Sequence, residues 1–173
     1  FDEQANGLIP SEGSGIVVLK RLSAAIADGD TLYGILRGSS IGHAGTGAGQ
    51  YLPNLSVMEE TAARALDESR INVNELTYIE SHGAATELGD PIELKALSNA
   101  LRRHTGTQQF CALGTKANLG HMEAASGICS LIKVLLSMQH GRVSPCANLS
   151  TVNTSFEHQT SPFLFPREAQ VWE

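Results

Sequence analysis

Aromatic side chains make up only 5% of this 173-residue sequence, and cysteine and proline are sparse at three and six residues. Cys111, Cys129 and Cys146 are odd in number and lack paired or metal-like spacing. That argues against a disulfide framework and leaves reduced thiols as the expectation. Basic residues are also in short supply: 12 Lys+Arg against 18 Asp+Glu leave a net charge of -6. A nucleic-acid partner, which needs a basic stripe to displace counterions, is not expected. No apolar run approaches the roughly 20 residues that span a bilayer. The start, Phe1-Asp2-Glu3, has neither the basic region nor the apolar core of a signal peptide. Together these features predict no membrane partner and a cytoplasmic setting. His, Asp and Glu do not recur at zinc-ligand intervals, so no metal is expected. Gly45-Thr46-Gly47-Ala48-Gly49 lacks both the G-x-G-x-x-G spacing and a following G-K-[ST], which argues against nucleotide binding.

What is present is a hydrophobic fraction of 42%, enough for a core, and 17 glycines. Frequent glycine with few aromatics suits an α/β enzyme better than a β-sandwich. Ile16 to Leu19 and Leu32 to Leu36 are short apolar runs that predict buried strands, separated by a short helix over Leu22 to Ala27 that Asp28-Gly29-Asp30 stops. A glycine-rich loop follows from Gly38 to Gly49. Ser56 with Glu59 forms a capping box, and Met58, Thr61, Ala62, Ala65, Leu66 and Ser69 line one face, predicting a helix over 56–69. Leu76 to Glu80 predicts a strand ending in Ser81-His82-Gly83. Asp90-Pro91-Ile92-Glu93 then combines an N-cap, a proline at the first helical position and a glutamate at N3. Leu94, Leu97, Ala100 and Leu101 supply that helix with its buried stripe, and Arg102 and Arg103 suit its C-terminus. Phe110 to Gly114 predicts another strand. A long helix with Ile128, Leu131, Ile132, Leu135 and Met138 on one side runs up to Gly141. From Ser144 onward only Phe163-Leu164-Phe165 reads as a strand, within an irregular tail. Strand, histidine-bearing loop and helix recur in order, which predicts layers with sites at the carboxyl ends of strands.

Glu80-Ser81-His82-Gly83-Ala84-Ala85-Thr86-Glu87-Leu88-Gly89-Asp90-Pro91-Ile92-Glu93 resembles the β-ketoacyl synthase signature in which E-A-H-G-T-G-T is followed by G-D-P-I-E. Leu113-Gly114-Thr115-Lys116-Ala117-Asn118-Leu119-Gly120-His121 is similar to the same family's G-S-V-K-S-N-I-G-H, aligned on the lysine. Phe1-Asp2 through Gly7 and Ser11-Glu12-Gly13-Ser14-Gly15 resemble its F-D-x-x-A-D-G-Y-x-x-G-E-G-x-G stretch, with Asn6 for an aspartate and Ser11 for a glycine. The match is closest to ketosynthases of modular polyketide synthases and covers nearly the whole chain.

The resemblance implies a thiolase-like, layered αβαβα fold, of which residues 1–50 are the end of the first half, 51–143 the core of the second and 144–173 an irregular tail. It implies a decarboxylative Claisen condensation. An acyl group on a cysteine is attacked by the carbanion left when a malonyl thioester on an acyl carrier protein loses carbon dioxide. His82 and His121 are expected to donate to the thioester oxygen, Lys116 to orient the site, and Thr86 to hold the phosphopantetheine arm on which substrates travel. No cofactor is expected to bind directly. The partners implied are the acyl carrier protein, the remaining half of the ketosynthase domain, and a second copy in a homodimer. Ala84 and Ala85 depart from the signature's first threonine and middle glycine, removing a hydroxyl and easy access to positive φ. Gly42-His43-Ala44-Gly45 stands where the family has N-H-D-G, so His43 is expected to be a loop residue. A non-elongating, transacylating ketosynthase and a non-catalytic scaffold are the alternatives. The family's nucleophile lies in an A-C-S-S type turn that this chain lacks, whereas Cys111 falls in a strand and Cys129 on a helix. Incubation of the chain with a simple acyl thioester should therefore leave no stoichiometric adduct by intact mass. Rapid, site-specific labelling of Cys129 or Cys111 would overturn the alignment.

Overall fold

The computed structural model describes residues 1–45, 53–104, 110–155 and 162–172. Helix α1 (Leu22–Asp28) is short and closes on Gly29 in the left-handed conformation. Helix α2 spans Leu55–Ser69, strand β1 Tyr78–Ser81, helix α3 Gly89–Arg102 and strand β2 Phe110–Gly114. The one-turn helix α4 (Lys116–Leu119) and the long helix α5 (Ser126–His140) follow, and strands β3 (Arg142–Val143), β4 (Phe163–Leu164) and β5 (Gln170–Val171) complete the order.

β1 and β2 run parallel, with Tyr78 opposite Cys111 and Ser81 opposite Gly114, and α3 makes the crossover between them. A parallel pair needs such a crossover, and a helix is its usual form. β4 joins β2 in parallel, Phe110 opposite Phe163, so the strand order is β1-β2-β4. β3 and β5 pair antiparallel and hold the tail against the end of α5. The core gathers Phe1, Val73, Tyr78, Leu94, Leu101, Val143, Cys146 and Phe163, with Leu97, Val134, Phe165 and Trp172 packed around it. Leu94 and Ala100, predicted as buried stripe, are each 1% exposed. The helix pair α2 and α3 is locked by Arg103, whose guanidinium spans Glu59 at 2.6 Å and Glu60 at 3.0 Å.

Three local expectations change in detail. Helix α2 is capped by Asn54, whose Oδ1 accepts from the Val57 N–H at 3.2 Å, two residues earlier than the Ser56 box. Helix α3 starts at Gly89 with Leu88 before it, so Asp90 lies in the first turn and Glu93 at the start of the second, and their carboxylates are turned toward the preceding loop. The expected strands at Ile16 to Leu19 and Leu32 to Leu36 do not form, because no strand among the described residues pairs with them. Residues 46–49 of the glycine-rich loop lie outside the described residues.

The segment before α2 instead runs as an extended arm over the helices. At Gly34 the arm comes so close to α5 that a Cβ there would meet Leu135 Cδ2 at 2.8 Å. Its outer side is apolar and open to solvent: Ile16 is 90% exposed, Val18 92% and Ile41 91%. Contiguous exposed apolar surface marks a contact site or drives association. The 173-residue chain on its own should therefore self-associate, seen by light scattering on a sizing column. A monodisperse monomer with a sharp, cooperative melt would contradict this.

Candidate active site

Strand β1 ends at Ser81, and the chain turns through His82, Gly83, Ala84 and Ala85 before α3. A turn made mostly of small residues leaves several main-chain N–H groups without helix or sheet partners. The first two turns of α3 supply acceptors. Glu93 Oε1 accepts from the His82 N–H at 2.5 Å and Oε2 from the Gly83 N–H at 2.9 Å. Asp90 Oδ1 accepts from the Ala85 N–H at 3.0 Å, while its Oδ2 lies 2.7 Å from the Phe1 nitrogen. Both side chains are buried, at 2% and 7% exposure for Asp90 and Glu93. Burial pushes the Glu93 carboxyl above its usual range, opposed by the two N–H bonds. Carboxylates are thus positioned to fix the backbone that carries His82.

Lys116 follows β2 and opens α4, and its Nζ donates to the His82 carbonyl at 2.6 Å. Partial burial lowers its pKa, and Glu93, Glu80 and Asp90 work against that. His121 lies just past α4. Its main chain is held on both sides by the arm, N–H to the Ile9 carbonyl at 2.7 Å and carbonyl from the Ser11 N–H at 2.9 Å. The preceding residue must be glycine: Gly120 has φ +81°, and a Cβ there would sit 2.8 Å from Ser11 Oγ.

The His121 ring is oriented by the turn that follows. The Glu123 N–H donates to His121 Nδ1 at 3.0 Å, and Ser126 Oγ stands 3.5 Å from the same nitrogen while accepting from the Met122 N–H. Glu123 takes φ +50° to aim that N–H. With Nδ1 an acceptor, the neutral ring carries its proton on Nε2 and can donate outward. The His82 and His121 rings meet edge to face, centroids 5.4 Å apart at 80°. Burial first, then the Lys116 cation and His121, push the His82 pKa below 6.5, against the pull of Asp90. His82 is therefore neutral at pH 7.

A cavity of about 550 Å³ opens here, lined among others by Gly83, Ala85, Lys116, Asn118, His121 and Asn148. His82, His121 and Lys116 are thus brought together. Thr86 Oγ1 accepts from the Gly89 N–H at 3.2 Å and ties down its own loop, a bond that does not use its hydroxyl proton. His43 sits in the arm with Nδ1 accepting from the Gly45 N–H at 3.0 Å, a loop role. Cys146 is buried, which raises its pKa and keeps it a thiol. Among the described residues no cluster of three metal-binding side chains occurs, and no helix is long and apolar enough to cross a membrane. The clamps Asp90 and Glu93 were not anticipated as site residues, although their acidic spacing just after the histidine loop was the available signal.

The family model described as "Beta-ketoacyl synthase, C-terminal domain" matches residues 33–150. The chain belongs to the β-ketoacyl synthase family. It is 38% identical to "Polyketide synthase PksL" of Bacillus subtilis across 100% of this chain and 4% of that protein. It is 39% identical to "6-methylsalicylic acid synthase" of Aspergillus niger across 97% of this chain and 10% of that one. Among solved structures it superposes on the "Ketosynthase from module 6 of the bacillaene synthase from Bacillus subtilis 168" with TM-score 0.96 and 40% identity, covering 100% of this chain and 31% of that chain. The module 1 ketosynthase of the bacillaene synthase from Bacillus amyloliquefaciens gives TM-score 0.95 at 35% identity, with 32% of its chain covered. The thiolase-like fold is therefore present in part, as the C-terminal portion of a ketosynthase domain.

Within this ketosynthase loop, Ala85 adopts φ +58°, a conformation that crowds its Cβ. Ala85→Gly should raise stability by about 1 kcal/mol, the left-handed cost less the added chain entropy of glycine. Denaturant unfolding of a ketosynthase domain containing this chain measures it. An unchanged or lowered midpoint would show that the loop carries no such strain.

Proposed function

We propose that this chain supplies the malonyl-handling side of a condensing polyketide ketosynthase. The observation that carries the reading is the placement of two imidazoles edge to face, 5.4 Å apart, with His121 and Lys116 lining a cavity. Decarboxylation breaks the bond between the carboxylate and Cα of a malonyl thioester. Carbon dioxide leaves and the electron pair moves onto the thioester oxygen as an enolate. Two neutral N–H donors suit that oxygen, since they stabilise the developing charge without fully protonating it. The lowered pKa of His82 and the Nδ1 bond of His121 both support such donor states. The enolate carbon then attacks the thioester carbon of an acyl-cysteine, a new carbon–carbon bond forms, and the cysteine leaves as thiolate. That cysteine is assigned to the other half of the domain, which would also cover the apolar arm. An acyl carrier protein delivers the malonyl unit on its phosphopantetheine arm, and the intact domain works as a homodimer.

Ala84 in place of the signature threonine favours, as a second reading, a ketosynthase that passes acyl chains on without extension. The two separate in a complete domain where acylation and malonyl decarboxylation are assayed apart. His82→Ala and His121→Ala should each suppress decarboxylation by about 100-fold or more, the usual cost of one oxyanion donor, and affect acylation far less. Lys116→Ala should slow both half-reactions. Thr86→Ala should weaken carrier-bound substrates by about 1 kcal/mol, the size of one hydrogen bond. Intact decarboxylation in His82→Ala would hand precedence to the transacylating reading.

A further inference from the structure

The three candidate residues stand on three different elements, so something must hold those elements in register. His82 follows β1, Lys116 follows β2 and His121 precedes α5. One buried side chain touches all three elements. Glu80, on β1 two residues before His82, has a side chain 8% exposed and accepts four hydrogen bonds. Its Oε1 receives the Thr115 N–H at 2.7 Å and the Thr115 hydroxyl at 2.6 Å. Its Oε2 receives Tyr78 Oη at 2.5 Å and the Lys133 ammonium of α5 at 3.0 Å. Ser130, one turn earlier on α5, donates to the Thr115 hydroxyl at 3.2 Å and closes the triangle.

We infer that Glu80, braced by Lys133, is the positioning residue of this site, acting through Thr115 to set where the Lys116 ammonium meets His82. Thr115 is 3% exposed and is the residue directly before Lys116, whose Nζ reaches the His82 carbonyl at 2.6 Å. The Thr115 main chain is therefore anchored at the point where Lys116 departs. A group buried this deeply with both oxygens doubly engaged is rigid, since leaving any one partner unmet carries a desolvation cost. The partners of the Glu80 carboxylate described above, Tyr78, Thr115 and Lys133, do not line the cavity, so its effect on chemistry is indirect.

The inference rests on the ketosynthase reading for what the site does, but its test does not need that reading to hold. In a complete ketosynthase domain with ring-labelled histidine, the His82 titration is followed by NMR, the signal being assigned by its loss in His82→Asn. The charged and titratable groups facing this ring are Lys116, His121 and Asp90, with Glu93 bonded to its main chain. Lys116→Met should raise the His82 midpoint, because a nearby cation lowers it. Thr115→Val alters no charge, yet it should raise the midpoint in the same direction by freeing Lys116, and Thr115→Ser should restore it. Glu80→Gln should also raise it, whereas removing a carboxylate through space alone would lower it. Thr115→Val and Glu80→Gln should lower decarboxylation about 10- to 100-fold, the scale of a misplaced catalytic group, with KM for malonyl carrier nearly unchanged. A wild-type His82 midpoint in folded Thr115→Val, or no response to Lys116→Met, overturns the inference. Full decarboxylation in His82→Ala would defeat the condensing reading while leaving the titration to decide this one.

Discussion

Main-chain N–H groups in the turn after β1 have no strand or helix to bond to, and everything at the site depends on the two carboxylates that meet them. Glu93 takes the His82 and Gly83 N–H groups and Asp90 takes that of Ala85. An unmet buried donor costs on the order of 1–3 kcal/mol, so the loop conformation and the start of α3 form as one unit. A histidine on a free loop would sample many orientations. Here its backbone is fixed by an acid from α3 on one side and a lysine from α4 on the other.

Electrostatics and geometry agree within that unit. Lys116 raises the energetic cost of protonating His82, and Glu93, Glu80 and Asp90 oppose the lowering of the Lys116 pKa by burial. The outcome is a neutral donor beside a cation. His121 is oriented by a different route, through the Glu123 N–H that donates to its Nδ1.

Much of this arrangement was legible from residue order, and the exceptions have physical causes. Periodicity placed α2, α3 and α5 because an amphipathic stripe is a local property, and Leu94, Ala100 and Leu101 are buried as it requires. The two signatures led to His82, Lys116 and His121, which the fold brings together. Pattern could not tell that Asp90 and Glu93 would bond backward to a loop rather than cap their own helix, since both uses demand the same acid near the first turn. Thr86 likewise carries one hydroxyl that can serve its own loop as well as a ligand, and the Gly89 N–H bond is the loop's share of it. The runs at Ile16 to Leu19 and Leu32 to Leu36 have strand composition, but a strand is a pairing, and composition does not state whether a partner is at hand. Glu80 and Lys133 are 53 residues apart in sequence, too distant for any local pattern to join them.

The bonds between the arm and His121 also bear on the order in which the protein can be assembled. Ile9 and Ser11 grip a residue more than a hundred positions later, and Asp2 binds the Ser150 and Thr151 N–H groups from still further away. Loop-closure entropy grows only slowly with length, so such contacts add little to the thermodynamic cost. Their kinetic effect is larger, because high contact order slows folding. The arm precedes the segment after α4 in the chain, so its grip on His121 forms only once that segment has been made. The seat of His121 against the arm is therefore among the later features of the chain to take shape.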